Sequence, residues 1–333
     1  MHHPSSQQPG QIATARSARV AASRKLLRRA VRRDERAFLA DGPQAVCEAL
    51  TFHDADHPYG LSVRVDEVYV DATVGKRHAD LLELAAGRGV RVVWCDSKAI
   101  ASLTDAVTPQ GIAARCRFLD VPLAGLLAPS PSSSDVESPS PARSSSDVES
   151  PSSSRSSSER GTSDVETRRA DGVRNQGPRL LAVPVDVRDP GNLGTIIRCA
   201  DASGADGVVI LGDSVDAYNP KAVRSSAGSL FHLPLALDPD PAGAIMAMKD
   251  AGLQIIATEG EASMDLDDVI DEGGLAAPTA WLFGNEAHGL PDEIAALADI
   301  RLRIPIHGLA ESLNLSTAAA ICLYASARAQ RER

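Results

Sequence analysis

The sequence predicts an α/β protein of two domains, and three observations carry this prediction. Short apolar strands alternate with helical segments in two parts of the chain, residues 37–127 and 179–333. A serine- and proline-rich segment, residues 128–178, lies between them. Near the C-terminus, two polar loops that contain glycine each follow a buried strand. Such loops are typical of the ligand-binding edge of an open, mainly parallel sheet.

Length and composition limit the alternatives. A chain of 333 residues can build two cores, and since aromatic residues make up only 3%, these cores must consist mainly of aliphatic side chains. The five cysteines are scattered and never spaced as Cys-x-x-Cys, so we expect no disulfide framework and no metal site, and a cytoplasmic location. No apolar run is long enough to cross a membrane. The net charge of −10 averages an uneven distribution and does not decide whether nucleic acid is bound.

The N-terminal leader, residues 1–36, is strongly basic from Arg16 to Arg33. Apolar residues recur between the cations at helical spacing, so we expect a basic helix that neutralises RNA phosphates. A solvated charged face or an organelle transit peptide would have a similar composition. The leader residues expected to contact RNA are Arg24, Lys25, Arg28, Arg29 and Arg32.

The first domain, residues 37–127, shows strands and helices in alternation, which predicts a largely parallel sheet with helices packed on it. A strand leads through Gly42-Pro43 into a helix that ends near Leu50. The later predicted strands are 65–70, 90–94 and 113–118, and the later predicted helices are 75–88 and 99–105.

The segment 128–178 differs in kind from its neighbours. The sequence of residues 132–140 recurs without change at residues 144–152. Serine, proline and acidic residues with almost no apolar side chains cannot bury enough surface to offset the entropy lost on ordering. We therefore predict a disordered, flexible tether between the two domains.

The second domain, residues 179–333, again alternates strands and helices, as in a doubly wound sheet. Its predicted strands are 180–187, 207–211, 254–258, 279–283 and 300–304, and its predicted helices are 189–203, 219–228, 241–251, 290–297 and 317–330. Either Asn314 or Ser316 is expected to cap the last helix, because both side chains offer an oxygen to free backbone N–H groups.

Four clusters in this domain combine polar side chains with glycine or with each other. They are Asn192-x-Gly194-x-x-x-Arg198, Arg224-x-x-x-Gly228, Gly284-Asn285-Glu286-x-x-Gly289 and Ser312-Leu313-Asn314. Helix capping by Asn192 and an ion pair of Arg198 would explain at most two of them. A dinucleotide-binding glycine motif, a P-loop and a Gly-x-Ser-x-Gly elbow are all missing from the sequence. The histidines are too dispersed to predict metal ligation.

Three of these motifs resemble those of the SpoU (TrmH-type) RNA ribose 2′-O-methyltransferases of the SPOUT superfamily. The similar segments are Asn192–Arg198, Phe283–Leu290 and Ile304–Ser316. They occur in the family's order and spacing, although Ala287 and Leu315 replace residues that are commonly glycine and valine there. Residues 37–118 resemble the family's small ribosomal-protein-like domain, and the basic leader is similar to the thiostrepton-resistance branch.

The resemblance implies a SPOUT domain with a deep trefoil knot, an exception to the usual absence of knots. It also implies S-adenosylmethionine as cofactor and a homodimer formed through the knotted domain. The implied cofactor-binding residues are Gly284, Asn285, Ile304, Ser312 and Leu313. The implied catalytic residues are Asn192, Arg198, Glu286, Ser312 and Asn314, and Arg198 and Arg224 are expected to contact RNA.

The predicted function is therefore S-adenosylmethionine-dependent methylation of a ribose 2′-hydroxyl in RNA. Ribosomal RNA is the preferred substrate and transfer RNA the main alternative. Arginine is a poor general base, so Arg198 is expected to hold phosphate and stabilise developing charge. Glu286 is expected to connect two loops through backbone N–H groups. The competing hypotheses are a non-catalytic RNA-binding protein on the same fold, and a nucleotide-binding α/β protein that acts on small molecules.

Overall fold

The computed structural model describes residues 12–129 and 177–331. Its first domain holds a four-stranded sheet in the order β1-β4-β2-β3. The strands are β1 (Ala37–Asp41), β2 (Val65–Asp71), β3 (Arg91–Cys95) and β4 (Ile112–Arg117). The helices are α1 (Ala18–Arg24), α2 (Arg29–Glu35), α3 (Pro43–Thr51), α4 (Ala79–Gly87) and α5 (Ser97–Ala101).

The expectation of a largely parallel first sheet is wrong. Strand β4 lies between β1 and β2 and is antiparallel to both, and only β2 and β3 are parallel. The reason is the short α5, which ends at Ala101 rather than near residue 105. Five residues of helix rise only about 8 Å and cannot return the chain across the sheet. The chain therefore enters β4 at the edge where β2 ends, and Gly111 O accepts a hydrogen bond from Asp71 N at 2.9 Å.

The second domain holds a seven-stranded sheet in the order β7-β6-β5-β10-β8-β11-β9, in which all neighbouring strands are parallel. The strands are β5 (Leu180–Pro184), β6 (Gly207–Leu211), β7 (Leu235–Asp238), β8 (Gln254–Thr258), β9 (Met264–Asp265), β10 (Thr279–Phe283) and β11 (Ile300–Arg303). The helices are α6 (Leu123–Leu127), α7 (Pro190–Ser203), α8 (Pro220–Ser225), α9 (Pro241–Asp250), α10 (Leu266–Asp271), α11 (Asp292–Ala295) and α12 (Leu315–Arg331).

The sequence patterns missed β7, β9 and α10, and they overestimated the lengths of α8 and α11. Strand β9 has two residues and β7 has four, too few for a period-2 pattern to stand out. The α/β class and the parallel order of this sheet agree with the prediction. The trefoil knot itself stays a prediction.

Helices cover both faces of the second sheet. Side chains of α7, α10 and α12 pack against one face, and those of α6, α9 and α11 pack against the other. Strands β5 and β10 are buried along their whole length, as expected for central strands of a parallel sheet. Trp281 Nε1 on β10 donates to Ser326 Oγ on α12 at 2.9 Å. The last helix is thus fixed to the centre of the sheet.

An aromatic cluster joins the two domains. Phe38 and Phe118 of the first domain pack against Tyr218 of the second, with ring centroids 4.8 and 3.9 Å away. The Tyr218 hydroxyl accepts hydrogen bonds from the backbone N–H groups of Leu119 and Asp120 at 2.7 and 2.8 Å. These side chains belong to one continuous hydrophobic core. The structure therefore places the first domain firmly on the second.

A half-buried histidine adds an ionic contact at the same junction. His232 Nδ1 lies 2.7 Å from Asp201 Oδ2 on α7, and His232 Nε2 lies 3.1 Å from Glu48 Oε2 on α3. Burial alone would lower the pKa of His232, but its hydrogen bonds to Asp201 and Glu48 outweigh burial and raise the pKa to about 9.

We predict that His232→Gln lowers the free energy of unfolding at pH 7 by about 2 kcal/mol. This value lies between the small contribution of an exposed ion pair and the larger cost of breaking a buried one. Because the folded pKa lies above the ordinary value of about 6.5, the stabilisation is complete below pH 6.5 and is lost as the pH rises through 9. Urea unfolding of both proteins between pH 6 and 10 checks this. Unfolding curves that differ equally at every pH would contradict it.

The two described ends of the serine-rich segment lie together on the second domain. Helix α6 precedes the segment, and its Leu126 is buried in the core formed by β5, β6 and α9. Val121 N donates to Leu235 O of β7 at 2.8 Å. On the other side of the segment, a Cβ atom placed on Gly177 would lie 3.6 Å from Leu127 O. Both described flanks of the segment thus lie on the second domain. The predicted disorder concerns residues 130–176, which lie outside the described residues.

Candidate functional site

A cavity of about 800 Å³ lies at the carboxyl ends of β8, β10 and β11. Ligand sites in open parallel sheets occur at this edge, because the loops that leave neighbouring strands meet there. We call it the strand-end cavity, and its lining includes Asn192, Thr258, Glu259, Gly260, Gly284, Asn285, Glu286, Gly289, Arg303, Ile304, Glu311, Ser312, Leu313 and Asn314.

Gly284 is required by the close approach of two backbone segments in the cavity wall. A Cβ atom at this position would lie 2.3 Å from Gly289 C, 2.4 Å from Leu290 N and 2.6 Å from Gly289 O. Asn285 and Gly289 close the loop by exchanging backbone hydrogen bonds of 2.8 and 2.9 Å. At Gly284 the loop therefore presents backbone, rather than a side chain, to the cavity.

A chain of hydrogen bonds crosses the cavity wall. Asn314 Nδ2 donates to Asn192 Oδ1 at 3.0 Å, and Asn192 Nδ2 donates to Glu286 Oε1 at 3.0 Å. The Glu286 carboxylate also accepts from the backbone N–H groups of Arg188 and Asp189, at 3.3 and 3.2 Å. Three segments that are distant in sequence are thus held in one arrangement, and the backbone contacts expected for Glu286 are present.

The carboxylates of this wall are held in their ionised form. Burial would raise the pKa of Glu286, but the hydrogen bonds from Asn192 and from backbone N–H groups lower it below its ordinary value. The ammonium group of Lys221, 2.7 Å from Asp189 Oδ1, and the backbone N–H of Gly191 lower the pKa of Asp189. At neutral pH Glu286 is therefore ionised and accepts hydrogen bonds in the wall, while the charge of the neighbouring Asp189 is paired with Lys221.

The side chains that cap α7 and α12 show which polar residues of the site also have a structural role. Asp189, not Asn192, caps α7 and accepts from Gly191 N at 2.8 Å. The Asn192 side chain is therefore available to the network described above. Asn314 caps α12, since its Oδ1 accepts from Ser316 N at 2.9 Å, whereas Ser316 lies inside the helix. Gly194 allows α7 and α8 to touch, because a Cβ there would lie 2.3 Å from Ala222 O.

All five predicted cofactor-binding residues line the strand-end cavity: Gly284, Asn285, Ile304, Ser312 and Leu313. Four of the five predicted catalytic residues also line it: Asn192, Glu286, Ser312 and Asn314. Arg198 does not. It is exposed on α7. Thr258, Glu259 and Gly260 also line the cavity and were not predicted from the sequence. They follow a buried strand as a polar turn with a glycine, a pattern that would have predicted them.

The predicted RNA-binding cations separate into two groups. Arg24, Lys25, Arg28 and Arg29 are exposed. The expectation for Arg32 is wrong, because it is only 2% exposed and donates from Nη2 to Asp216 Oδ2 at 2.6 Å. Arg224 is ion-paired with Asp41 and Asp105 of the first domain. The leader is also broken into α1 and α2, because Arg28 is extended with φ −96° and ψ 128°.

Other kinds of site find little support in the described residues. Among residues 12–129 and 177–331, no group of three or more His, Cys, Asp or Glu side chains could hold a metal ion. No helix in the part of the chain that the structure describes is both long and apolar enough to span a bilayer. All five cysteines are free thiols.

Comparison with known proteins identifies both domains. Residues 179–324 match the SpoU rRNA methylase family, and residues 42–122 match the RNA 2′-O ribose methyltransferase substrate-binding domain. The chain is 42% identical over 143 residues to the 23S rRNA (uridine(2479)-2′-O)-methyltransferase of Streptomyces viridochromogenes. That alignment covers 42% of this chain and 49% of the relative, so the match spans about half of the relative's length.

Two further relatives align over most of the chain. The 23S rRNA (guanosine-2′-O-)-methyltransferase RlmB of Nitrosomonas europaea is 26% identical over 86% of this chain and 90% of its own. The SpoU methyltransferase AviRb of Streptomyces viridochromogenes, solved in complex with AdoMet, superposes with a TM-score of 0.66 at 26% identity. That superposition covers 95% of this chain and 100% of AviRb. Residues 179–324 thus match a SpoU rRNA methylase domain, and residues 42–122 match the substrate-binding domain of RNA 2′-O ribose methyltransferases.

Proposed function

We propose that the protein is an S-adenosylmethionine-dependent methyltransferase that acts on a ribose 2′-hydroxyl of RNA, and that this RNA is ribosomal. The observation that carries the proposal is the hydrogen-bonded chain from Asn314 through Asn192 to Glu286 in the wall of the strand-end cavity. It unites polar residues of all three SpoU-like motifs at one site. The named relatives that methylate 23S rRNA support ribosomal RNA over transfer RNA.

The cavity suits S-adenosylmethionine in size and lining. Its volume of about 800 Å³ lies within the range of small-molecule sites, about 300–1,000 Å³. Backbone at Gly284 and apolar groups at Ile304 and Leu313 offer an adenine site, and Glu259 and Glu311 offer negative charge for the cofactor's cationic groups. When bound, this cofactor supplies an electrophilic methyl group.

The protein's task is to place the ribose hydroxyl and stabilise the charge that develops on its oxygen. Asn192, Ser312 and Asn314 line the cavity and can orient the ribose, while Glu286 holds Asn192 in place. Arg198 is exposed on α7 and is assigned to an RNA phosphate. The hydroxyl proton leaves to solvent, since an arginine side chain with a pKa above about 12 is a poor base.

The knot and the homodimer belong to the same proposal. Gly284 lets the loop 284–290 close tightly on itself, and Asn314, which precedes α12, donates a hydrogen bond of 3.0 Å to Asn192 on α7. Both contacts support an interlocked arrangement before α12. Helix α12 exposes Ile321 and Tyr324, at 38% and 52%, and these apolar groups suit an interface with a second copy. The thiostrepton-resistance branch and a cytoplasmic location stay predictions.

The test is methyl transfer from radiolabelled S-adenosylmethionine to purified ribosomal RNA and, separately, to transfer RNA. We expect label in ribosomal RNA at one ribose, located by resistance of the neighbouring bond to alkaline hydrolysis. A non-catalytic RNA-binding protein would bind RNA and transfer no label. An enzyme of small-molecule metabolism would show no dependence on RNA, and either result would overturn the proposal.

A further inference from the structure

A second depression lies beside the strand-end cavity and shares part of its wall. This outer groove has a volume of about 990 Å³, and its lining includes Asp186, Arg188, Asp189, Asn192 and Glu286. Asn192 and Glu286 separate the two depressions, because both residues line each of them. A group held in the outer groove therefore lies next to the wall that carries the hydrogen-bonded chain.

Arg188 is the cation of this groove, and its present partner holds it weakly. Its Nη1 lies 2.7 Å from Asp213 Oδ2, with side chains that are 59% and 73% exposed. Exposed ion pairs contribute little net free energy, since water screens the attraction. An RNA phosphate, which an arginine can bind with two parallel hydrogen bonds, can replace Asp213 as the partner.

The basic leader is anchored beside the same loop. Arg32 on α2 is buried and paired with Asp216, only three residues after Asp213. Arg29 lies one helical turn before Arg32, so both side chains project from the same side of α2. Arg29 is near enough to help lower the pKa of Asp213, after the larger effect of Arg188. Helix α2 thus brings Arg29 towards the rim of the outer groove.

We propose that Arg29 and Arg188 form one phosphate-binding track that leads a single RNA strand from the basic leader into the outer groove. The target nucleotide then lies against Asn192 and Glu286, with its ribose facing the strand-end cavity. This assignment rests on the proposed function, adds Arg188 to the residues already expected to contact RNA, and gives the strand a direction of approach. In it, Asp213 is a competitor that RNA displaces from Arg188.

The test compares wild-type protein with Arg188→Ala, Arg29→Ala and Asp213→Asn. Lys249→Ala is the matched control, since Lys249 is a cation paired with Asp299 at 2.6 Å and lies on α9, on the opposite face of the sheet. The probe is a fluorescein-labelled single-stranded RNA of 20 nucleotides and mixed sequence. Fluorescence anisotropy measures the dissociation constant at several salt concentrations, and calorimetry measures cofactor affinity separately.

Each arginine variant is expected to weaken RNA binding about tenfold and to reduce the slope of log K against log salt concentration by about 0.7. Asp213→Asn is expected to tighten binding, because it frees Arg188, and the control is expected to match wild type. Cofactor affinity should be unchanged in all variants. Equal RNA affinities for Arg188→Ala and Lys249→Ala would overturn the track. If the wild-type protein does not bind the cofactor, the proposed function is overturned instead. The RNA affinities of the variants would still show whether Arg29 and Arg188 bind RNA phosphates.

Discussion

Replacing Gly284 with alanine is expected to weaken S-adenosylmethionine binding and to lower the rate of RNA methylation by about 100-fold, the loss of rate that a displacement of about 1 Å can produce. The added Cβ atom would lie 2.3 Å from Gly289 C and 2.4 Å from Leu290 N. Both are backbone atoms of the same cavity wall, so the conflict cannot be relieved by rotating a side chain. The loop must open, and Asn285 and Glu286 move with it. Calorimetric titration with the cofactor measures the effect.

Gly308→Ala is the control for this substitution. Gly308 lies in the loop between β11 and α12, and a Cβ atom there would meet nothing within 4 Å. We expect wild-type affinity for this variant. Circular dichroism and thermal melting show whether Gly284→Ala still folds, and a folded variant that binds the cofactor as tightly as wild type would contradict the geometry of the loop.

The second large effect is expected for Asn192→Asp. A carboxylate at residue 192 cannot donate to Glu286 Oε1, which the amide of Asn192 contacts at 3.0 Å. Two ionised carboxylates at this distance repel each other, and the repulsion ends when one of them binds a proton. We expect kcat for RNA methylation to fall by about 100-fold at pH 8, within the range seen when one precisely placed donor is removed.

The pH profile of this variant distinguishes repulsion from unfolding. As the pH falls, one of the two carboxyls binds a proton, a donor is restored, and part of the lost rate should return. Asn219→Asp is the matched control, because Asn219 caps α8 by accepting from Lys221 N at 2.9 Å, and aspartate caps equally well. A flat ratio of variant to wild-type rate between pH 6 and 9 would argue against a charge effect at residue 192.

The sequence predicted the site better than it predicted the sheets. The pattern of polar residues after buried strands was sufficient to predict that Gly284, Ser312 and Leu313 lie together, because the carboxyl ends of parallel strands share an edge. Strands β7 and β9 were missed because segments of two to four residues carry no measurable alternation. The antiparallel β4 was missed because alternation of elements does not specify direction. The direction of β4 depends on whether α5 is long enough to return the chain to the opposite edge of the sheet.

Charge patterns predicted less than motif patterns did. Arg32 and Arg24 belong to the same basic segment, yet Arg32 is 2% exposed and paired with Asp216, while Arg24 is exposed. The partner of Arg32 lies 184 positions further along the chain. No local pattern contains such a contact, so a buried structural arginine and a solvent-facing one have the same sequence signature. Arg224, although partly exposed, is likewise paired with carboxylates of the first domain that lie far away in the sequence.

Leu127 and Gly177 are neighbours on the surface of the second domain. The chain between them therefore begins and ends at nearly the same place. Closing a loop costs conformational entropy that grows only with the logarithm of its length. Each doubling of the length of the chain between these two residues therefore costs only about 0.6 kcal/mol of closure entropy. A fluorescent protein or an affinity handle could therefore be inserted between Leu127 and Gly177.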